Sequence, residues 1–306
     1  MQRLATMLLQ LAVVVFGILS GLFFLLRLSG DPALVLAGPD ATPETVAEVR
    51  RQLGLDEPLI VQYLSFLGQT ARLDFGRSFR YRQPALPLVV QRLPTTLQLA
   101  AAAVGVAVVV AVPLGVLAAV RRGRVESRLI MLLAALGQAM PSFWLGIVLI
   151  LIFAVRLRWL PSFGSGDLQH AVLPVATLAA FQVARLTRLV RSDMLEVLSQ
   201  DYIRTAYAKG LSARLVLWRH ALRNTLVTLV TAASLDFSIL IGGAVVVETV
   251  FTYNGLGLQL VESVGGRDYP VVQATVFVVA IIVVLVHFLV DWSYQFLDPR
   301  TRGRAA

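Results

Sequence analysis

Residues Thr95 to Val120 read TTLQLAAAAVGVAVVVAVPLGVLAAV, uninterrupted by any charge and closed by Arg121-Arg122-Gly123-Arg124. A helix rises about 1.5 Å per residue, so about 20 apolar residues cross a hydrocarbon layer of about 30 Å. Inside lipid every backbone N–H and C=O must be satisfied within the segment, which a helix achieves and an isolated strand does not. Five further stretches read the same way: Leu8 to Leu26, about Leu129 to Val155 with Pro141 as a kink, about Ala171 to Ala184 extending toward Val190, about Thr225 to Val247, and about Val271 to Val290. The fourth is the weakest, because Arg185 and Arg188 intrude on it. The first is too long for a signal-peptide core and no small-x-small cleavage site follows it directly, so it reads as a retained span.

Composition agrees. Hydrophobic residues make up 57% of the 306 and charged residues 15%, and mean hydropathy is +0.76. A soluble domain of this length cannot hide that much apolar surface, so a water-soluble enzyme and a DNA-binding protein are both disfavoured. The formal charge of +9 has to be read by position, because Arg and Lys collect on the cytoplasmic side of a membrane. With the N-terminus inside, the inner segments carry Arg3, then Arg121, Arg122, Arg124 and Arg128, then a basic series from Arg185 to Arg223, and finally Arg300, Arg302 and Arg304. The short outer loops carry only Arg156, Arg158 and Arg267. Six spans with both termini inside follow.

Cysteine is absent, so thiolate chemistry is excluded. Lys209 is the single lysine and is followed by Gly210. A phosphate-binding GxxxxGK[ST] loop needs Ser or Thr there, so any ATP that drives this chain is bound elsewhere. His170, His220 and His287 have no metal-ligand spacing, and no catalytic set is apparent.

Between the first two spans, Thr42 suits an N-cap and Pro43 the first helical position. Gly54 suits a left-handed stop, and a second short helix is expected from Glu57 to Leu67, ending at Gly68. This segment reads either as a lid or as a docking surface for an outer partner. On the inner side, Ser192 to Ser199 continues the fourth span. Asp201 can cap a helix through Ala208, Lys209-Gly210 stops it, and Ser212 caps the next helix, Ala213 to Ala221. Helix, glycine turn, helix makes a small basic hairpin, readable as a rigid lever against a partner or as a loop held to anionic lipid. Ala206 and Ala208 leave little bulk for a groove to accommodate.

Inside the spans, Asp236 is the one acid near a membrane centre, at an insertion cost of roughly 2.5–3.5 kcal/mol if unpaired. It reads either as lining a solute pathway or as pairing structurally, with Ser234 or with a second subunit. Gln98, Gln138, Gln182 and Gln273 are milder candidates for the same surface. Glu248 and Phe251, at the outer end of the fifth span, are candidates for an outer gate or a partner contact, with capping or ion pairing as the alternative for Glu248. Gly242 and Gly243 suit close helix packing.

The run Asp201-Tyr-Ile-Arg-Thr-Ala-Tyr-Ala-Lys-Gly-Leu211, followed by Arg219-His-Ala-Leu-Arg-Asn224, resembles the cytoplasmic loop of ABC importer permeases, in the variant of the dipeptide, oligopeptide and nickel family. Gly30-Asp-Pro32, Leu53-Gly-Leu-Asp56, Asp74-Phe-Gly-Arg-Ser78, Arg92-Leu-Pro-Thr-Thr-Leu97, Pro141-Ser-Phe-Trp144, Gly242 to Phe251, Gly255-Leu-Gly257, Arg267-Asp-Tyr-Pro270 and Asp298-Pro-Arg300 carry the resemblance over nearly the whole chain. Tyr207, Thr228 and His287 stand where the family often has Arg, Pro and Asn.

The resemblance implies an all-α type I permease core with an extra N-terminal helix, placed in the bacterial inner membrane. Residues 1–93 would hold that helix and an extracytoplasmic segment. Residues 94–298 would form the permease domain, with a coupling loop at about 192–224. Arg204, Thr205, Ala206, Tyr207, Ala208, Lys209, Gly210 and Leu211 would engage one of two ATPase subunits, which bind the ATP and Mg. A second, different permease and an extracytoplasmic solute-binding protein complete the expected set, with lipid around it and no nucleic acid. Di- or oligopeptides are the expected solute, with nickel or a metal chelate as the alternative. The rival classes are an ion-coupled secondary transporter, which calls for coupling-ion residues and often inverted repeats, and an intramembrane hydrolase.

Overall fold

The computed structural model describes residues 2–28, 30–38 and 40–297; Asp298-Pro-Arg300 and the basic tail lie outside them. Among the described residues the chain is helical without a named β-strand. The helices are α1 (Gln2–Leu28), α2 (Pro32–Ala37), α3 (Pro43–Gln52), α4 (Leu59–Ala71), α5 (Ala85–Val120), α6 (Val125–Ala139), α7 (Ser142–Leu149), α8 (Leu168–Leu198), α9 (Asp201–Ala208), α10 (Ala213–Leu215), α11 (Leu222–Val250), α12 (Leu256–Gly265) and α13 (Tyr269–Leu297). Two π-helical stretches, Ile150–Arg156 and Val216–Ala221, extend α7 and join α10 to α11.

By length and composition α5, α8, the unbroken run Ala213–Val250 and α13 can each cross a membrane, and α6 with α7 makes a fifth span if taken together. The apolar part of α1, Ala12–Leu28, is at the short end for a crossing. At Pro141 the sequence predicts a kink; the structure has a break, with α6 and α7 bent by 104°. Met140 and Pro141 are both extended, because proline lacks a donor and disfavours the helical region for the residue before it. Helix α5 begins ten residues before the expected start, despite Arg92 and Pro94. Ala85 and Val89 are fully buried against Phe75, Leu256, Val271 and Ala274, so packing extends the helix beyond its apolar run. The expected boundary at residue 93 falls inside it.

The chain forms two compact units. One comprises residues 1–96 and 254–284. Its core joins Phe75, Ala85 and Val89 to Leu256, Val271 and Val278, with a second cluster of Leu19, Phe23 and Phe66. In it Thr42 caps α3 through the Thr45 N–H and Pro43 opens the helix, as expected. Gly54 takes the left-handed conformation that ends α3. Helix α4 differs from expectation. It runs through Gly68 to Ala71, since Phe66 anchors its apolar face and nothing requires Gly68 to leave the helical region.

The other unit comprises residues 97–253 and, of the described residues, 285–297. Its core collects Ala107, Ala111 and Val116 of α5, Leu186, Val190 and Met194 of α8, and Leu229, Ala232 and Ala233 of α11. The glycines that allow close approach are not the expected pair. Gly242 and Gly243 are exposed, with nothing within 4 Å of where a Cβ would stand. At Gly115 a Cβ would meet Val190 Cβ at 2.6 Å and the Thr187 carbonyl oxygen at 2.9 Å. At Gly137 it would meet Ala184 Cβ at 3.3 Å.

Candidate functional site

The hairpin is built on α8, which runs without interruption past Arg185, Arg188 and Arg191 to Leu198. Helix α9 follows. Asp201 is its first residue and not its cap; Gln200 holds the cap position and makes no side-chain cap bond. Asp201 still places an acid on the first turn, where the helix dipole favours it. Ile203 and Ala206, three residues apart on one face, are buried with Leu186, Val190, Met194 and Val216. Ala206 therefore anchors the hairpin and does not thin its outer face, a correction to the expectation. Arg204, Thr205, Tyr207, Ala208 and Lys209 are exposed. The Thr205 hydroxyl turns back to donate to the Asp201 carbonyl at 3.0 Å.

The stop is a Schellman turn. Gly210 has φ +79°, its N–H donates to the Tyr207 carbonyl at 2.9 Å, and the Leu211 N–H donates to the Ala206 carbonyl at 3.3 Å. A Cβ on Gly210 would touch nothing within 4 Å, so glycine is required there by backbone conformation and not by crowding. Ser212 then caps α10 through the Leu215 N–H, as its sequence position predicts. One tether was not legible in sequence: Asn224 Nδ2 donates to the Tyr202 hydroxyl at 2.7 Å, joining the outer face of α9 to the first turn of α11.

Asp236 is fully buried and forms an ion pair with Arg185 of α8. It lines no surface of this chain. Ser234, the partner expected within the helix, donates instead to the Val230 carbonyl at 2.8 Å. The sequence pattern assigns Arg185 to the inner loop; in the structure it is the counter-charge, with a third of its side chain exposed. Gln182 lies one turn before it on α8 and is also buried. Gln138, half-buried, accepts from Arg188. Gln98 is exposed, and Gln273 lies in the other unit. The candidate polar residues therefore form two α8-based pairs and scattered singles.

Glu248 and Phe251 are buried, at 0% and 2% exposure, so neither offers a contact surface to a partner in this conformation. Phe251 packs on Gly146, where a Cβ would lie 3.1 Å from its ring, and its carbonyl accepts from the Gly164 N–H at 3.0 Å. The Glu248 carbonyl accepts from the Tyr253 N–H at 2.8 Å. Burial, and then the charge of Glu248, push the Tyr253 hydroxyl above its ordinary pKa.

The remaining sequence motifs meet in the first unit. Buried Asp268 accepts from the Ser78 hydroxyl and from the backbone N–H groups of Phe79, at 3.1 Å, and Arg80, at 3.3 Å. The Tyr269 hydroxyl donates to the Gly30 carbonyl at 2.9 Å, and the Arg267 guanidinium lies where a Gly30 side chain would stand. Asp31 caps α2 and pairs with Arg50. Burial works to raise its pKa, but the bonds from Arg50 and the Ala33 N–H outweigh it and hold the carboxyl below the usual range. The Thr96 hydroxyl accepts from the Leu256 N–H at 2.8 Å.

Comparison with known proteins places these features. Residues 111–303 match the family described as binding-protein-dependent transport system inner membrane component, and residues 1–100 match its N-terminal family. A Brucella abortus relative named as a peptide transport system permease is 44% identical over 95% of this chain and 96% of its own. The glutathione transport system permease protein GsiC of Salmonella typhimurium is 42% identical over 96% and 94%. Among solved structures, the inward-facing MetNI methionine ABC transporter shares the fold at TM-score 0.60 and 21% identity, over 69% of this chain and 96% of that one. With a likeness of 44% running nearly end to end, the chain belongs to the binding-protein-dependent transport system inner membrane components, the multi-pass permease subunits of ABC importers.

Proposed function

We propose that this permease carries small peptides, glutathione-like tripeptides included, as one of two different permease subunits. Each would present its hairpin to an ATPase subunit that binds ATP and Mg, and an extracytoplasmic binding protein would deliver the peptide. The solute rests on the names of relatives that match along almost the whole chain. Basic residues around the hairpin favour six crossings with both termini inside: α1, α5, the bent α6–α7 pair, α8, α11 and α13.

The observation that carries the coupling role is the two-faced hairpin. Ile203 and Ala206 fix α9 to the core shared by α8 and α11, while Arg204, Thr205, Tyr207, Ala208 and Lys209 point to solvent. A partner gripping that face moves α8 and α11 with it. The test is Gly210→Val in the complex reconstituted with its partner subunits. The chain inserts and co-purifies with the ATPases, but ATP hydrolysis no longer drives dipeptide uptake. Undiminished uptake by this variant refutes the coupling role; uptake of another solute class by the wild type refutes only the peptide assignment.

A further inference from the structure

Around the C-terminal end of α1 the first unit forms an open cavity of about 880 Å³, whose lining includes Gln273 but no other candidate pathway residue. Its apolar lining includes Leu36 and the edges of the buried Phe23, Phe66 and Phe75. Its walls carry Arg27, Arg77 and Arg82, against Glu57 as the one acid in the lining.

Arg27 is half-buried. Its guanidinium lies over the Phe23 ring, 4.9 Å from the centroid, and its Nε donates to Gln62 Oε1 at 2.9 Å. Arg77 Nη2 donates to the Arg82 carbonyl at 2.9 Å, which holds these two residues in one tight loop. Among the described residues no carboxylate lies within ion-pair distance of Arg27, Arg77 or Arg82. Arg27 feels Asp31 and Tyr269 only through space, and a partly buried cation bonded to a neutral amide keeps much of its desolvation cost. An anion in the cavity offsets that cost through charge-assisted, forked hydrogen bonds, the geometry in which guanidinium meets phosphate.

The border of the cavity selects the kind of anion. Helices α1 and α4, which both contribute to the lining, also expose Phe24, Leu25 and Leu28 and Leu59, Ile60 and Leu64. Tyr63 stacks on Phe24 between them, the aromatic placement of a membrane interface. Two helices with exposed apolar faces thus border on lipid, and a lipid reaches the cavity by lateral diffusion. The volume also far exceeds what a bare phosphate fills. We infer that the cavity is a binding site for an anionic phospholipid. Its phosphodiester lies against Arg27 and the Arg77–Arg82 loop, and the upper acyl chains lie on the exposed apolar side chains of α1 and α4, Phe24, Leu25, Ile60 and Leu64. The inference goes beyond the transport reading and holds whichever solute is carried.

Native mass spectrometry of the purified full-length chain, titrated with phosphatidylglycerol or phosphatidylethanolamine, tests it. The wild type retains one phosphatidylglycerol at least about tenfold more tightly than phosphatidylethanolamine, a preference of about 1.4 kcal/mol. Arg27→Gln abolishes the preference. The double variant Arg77→Gln/Arg82→Gln, confined to an exposed loop, weakens it without touching α1 and covers the case in which Arg27→Gln fails to fold. Equal retention of the two lipids by the wild type overturns the proposal, as does an unchanged preference in both variants. Displacement of the lipid by millimolar glycerol 3-phosphate overturns the lipid assignment in favour of a free phosphate ester; persistence of the lipid supports it.

Discussion

Replacing Arg185 with leucine leaves the Asp236 carboxylate buried without its counter-charge. Asp236 has 0% exposure and Arg185 about a third. Removing one member of a buried pair costs about 3–5 kcal/mol. Because Arg185 is partly exposed, the lower end applies, about 3 kcal/mol. Replacing both residues with leucine removes both charges and brings stability back to within about 1 kcal/mol of wild type. The coupling energy of the cycle, the Arg185→Leu and Asp236→Leu costs summed less that of the double variant, is then at least about 2 kcal/mol. Asp236→Leu costs less than Arg185→Leu, since it leaves a cation that still reaches an exposed surface. Thermal unfolding of the four purified proteins in nanodiscs measures the cycle, and peptide uptake by the double variant tells whether the pair is architecture or pathway. An Arg185→Leu protein as stable as wild type, or a double variant no better than Arg185→Leu, refutes the reasoning.

Gly115→Ala drives a methyl into Val190 and the Thr187 carbonyl and costs about 1–3 kcal/mol, read as lost membrane abundance; Gly105→Ala, with nothing within 4 Å, is neutral or slightly stabilising. Asp268→Ala orphans the Ser78 hydroxyl and the N–H groups of Phe79 and Arg80, so trypsin cleaves the 77–82 loop faster than in wild type while Asp74→Ala changes this less. Tyr202→Phe removes the bond from Asn224, worth about 0.5–1.5 kcal/mol; protein level holds and uptake per ATP hydrolysed falls. The Asp31–Arg50 tether has a depressed carboxyl pKa, so its contribution is present above the ordinary value near 3.9 and is lost as pH falls through the lower folded value. Limited proteolysis of α3 against pH shows opening only in that acid range, and Arg50→Gln moves the opening to higher pH.

Legibility in the sequence followed locality. Spans, caps and the Gly210 stop depend on neighbours within a few residues, and Thr42, Pro43, Gly54, Gly210 and Ser212 all stand where their chemistry predicts. What escaped were relations across long separations. Asp236 announced that it needed a partner, but hydropathy assigned Arg185 to a loop, because a charge ends an apolar run whether or not it turns inward. Asp268 is 190 residues from Ser78, and no spacing rule joins them. Gly115 sits in a run of small and apolar residues that gives no hint of which one meets α8, while the conspicuous Gly242-Gly243 pair meets nothing in this chain. Ala206 looked like part of an outer surface because its size suits one; the i,i+3 relation to Ile203 assigns it to the core.

The core that receives Ile203 and Ala206 also contains Leu186 and Val190 of α8 and Leu229 of α11. Close-packed interiors yield little under load. A displacement imposed on α9 therefore cannot be absorbed by local bending before it reaches the membrane interior. Where an ATPase subunit grips α9 as proposed, this core carries its stroke toward the level of the Arg185–Asp236 pair, so the motor's step and the amplitude of opening are set by one packing arrangement.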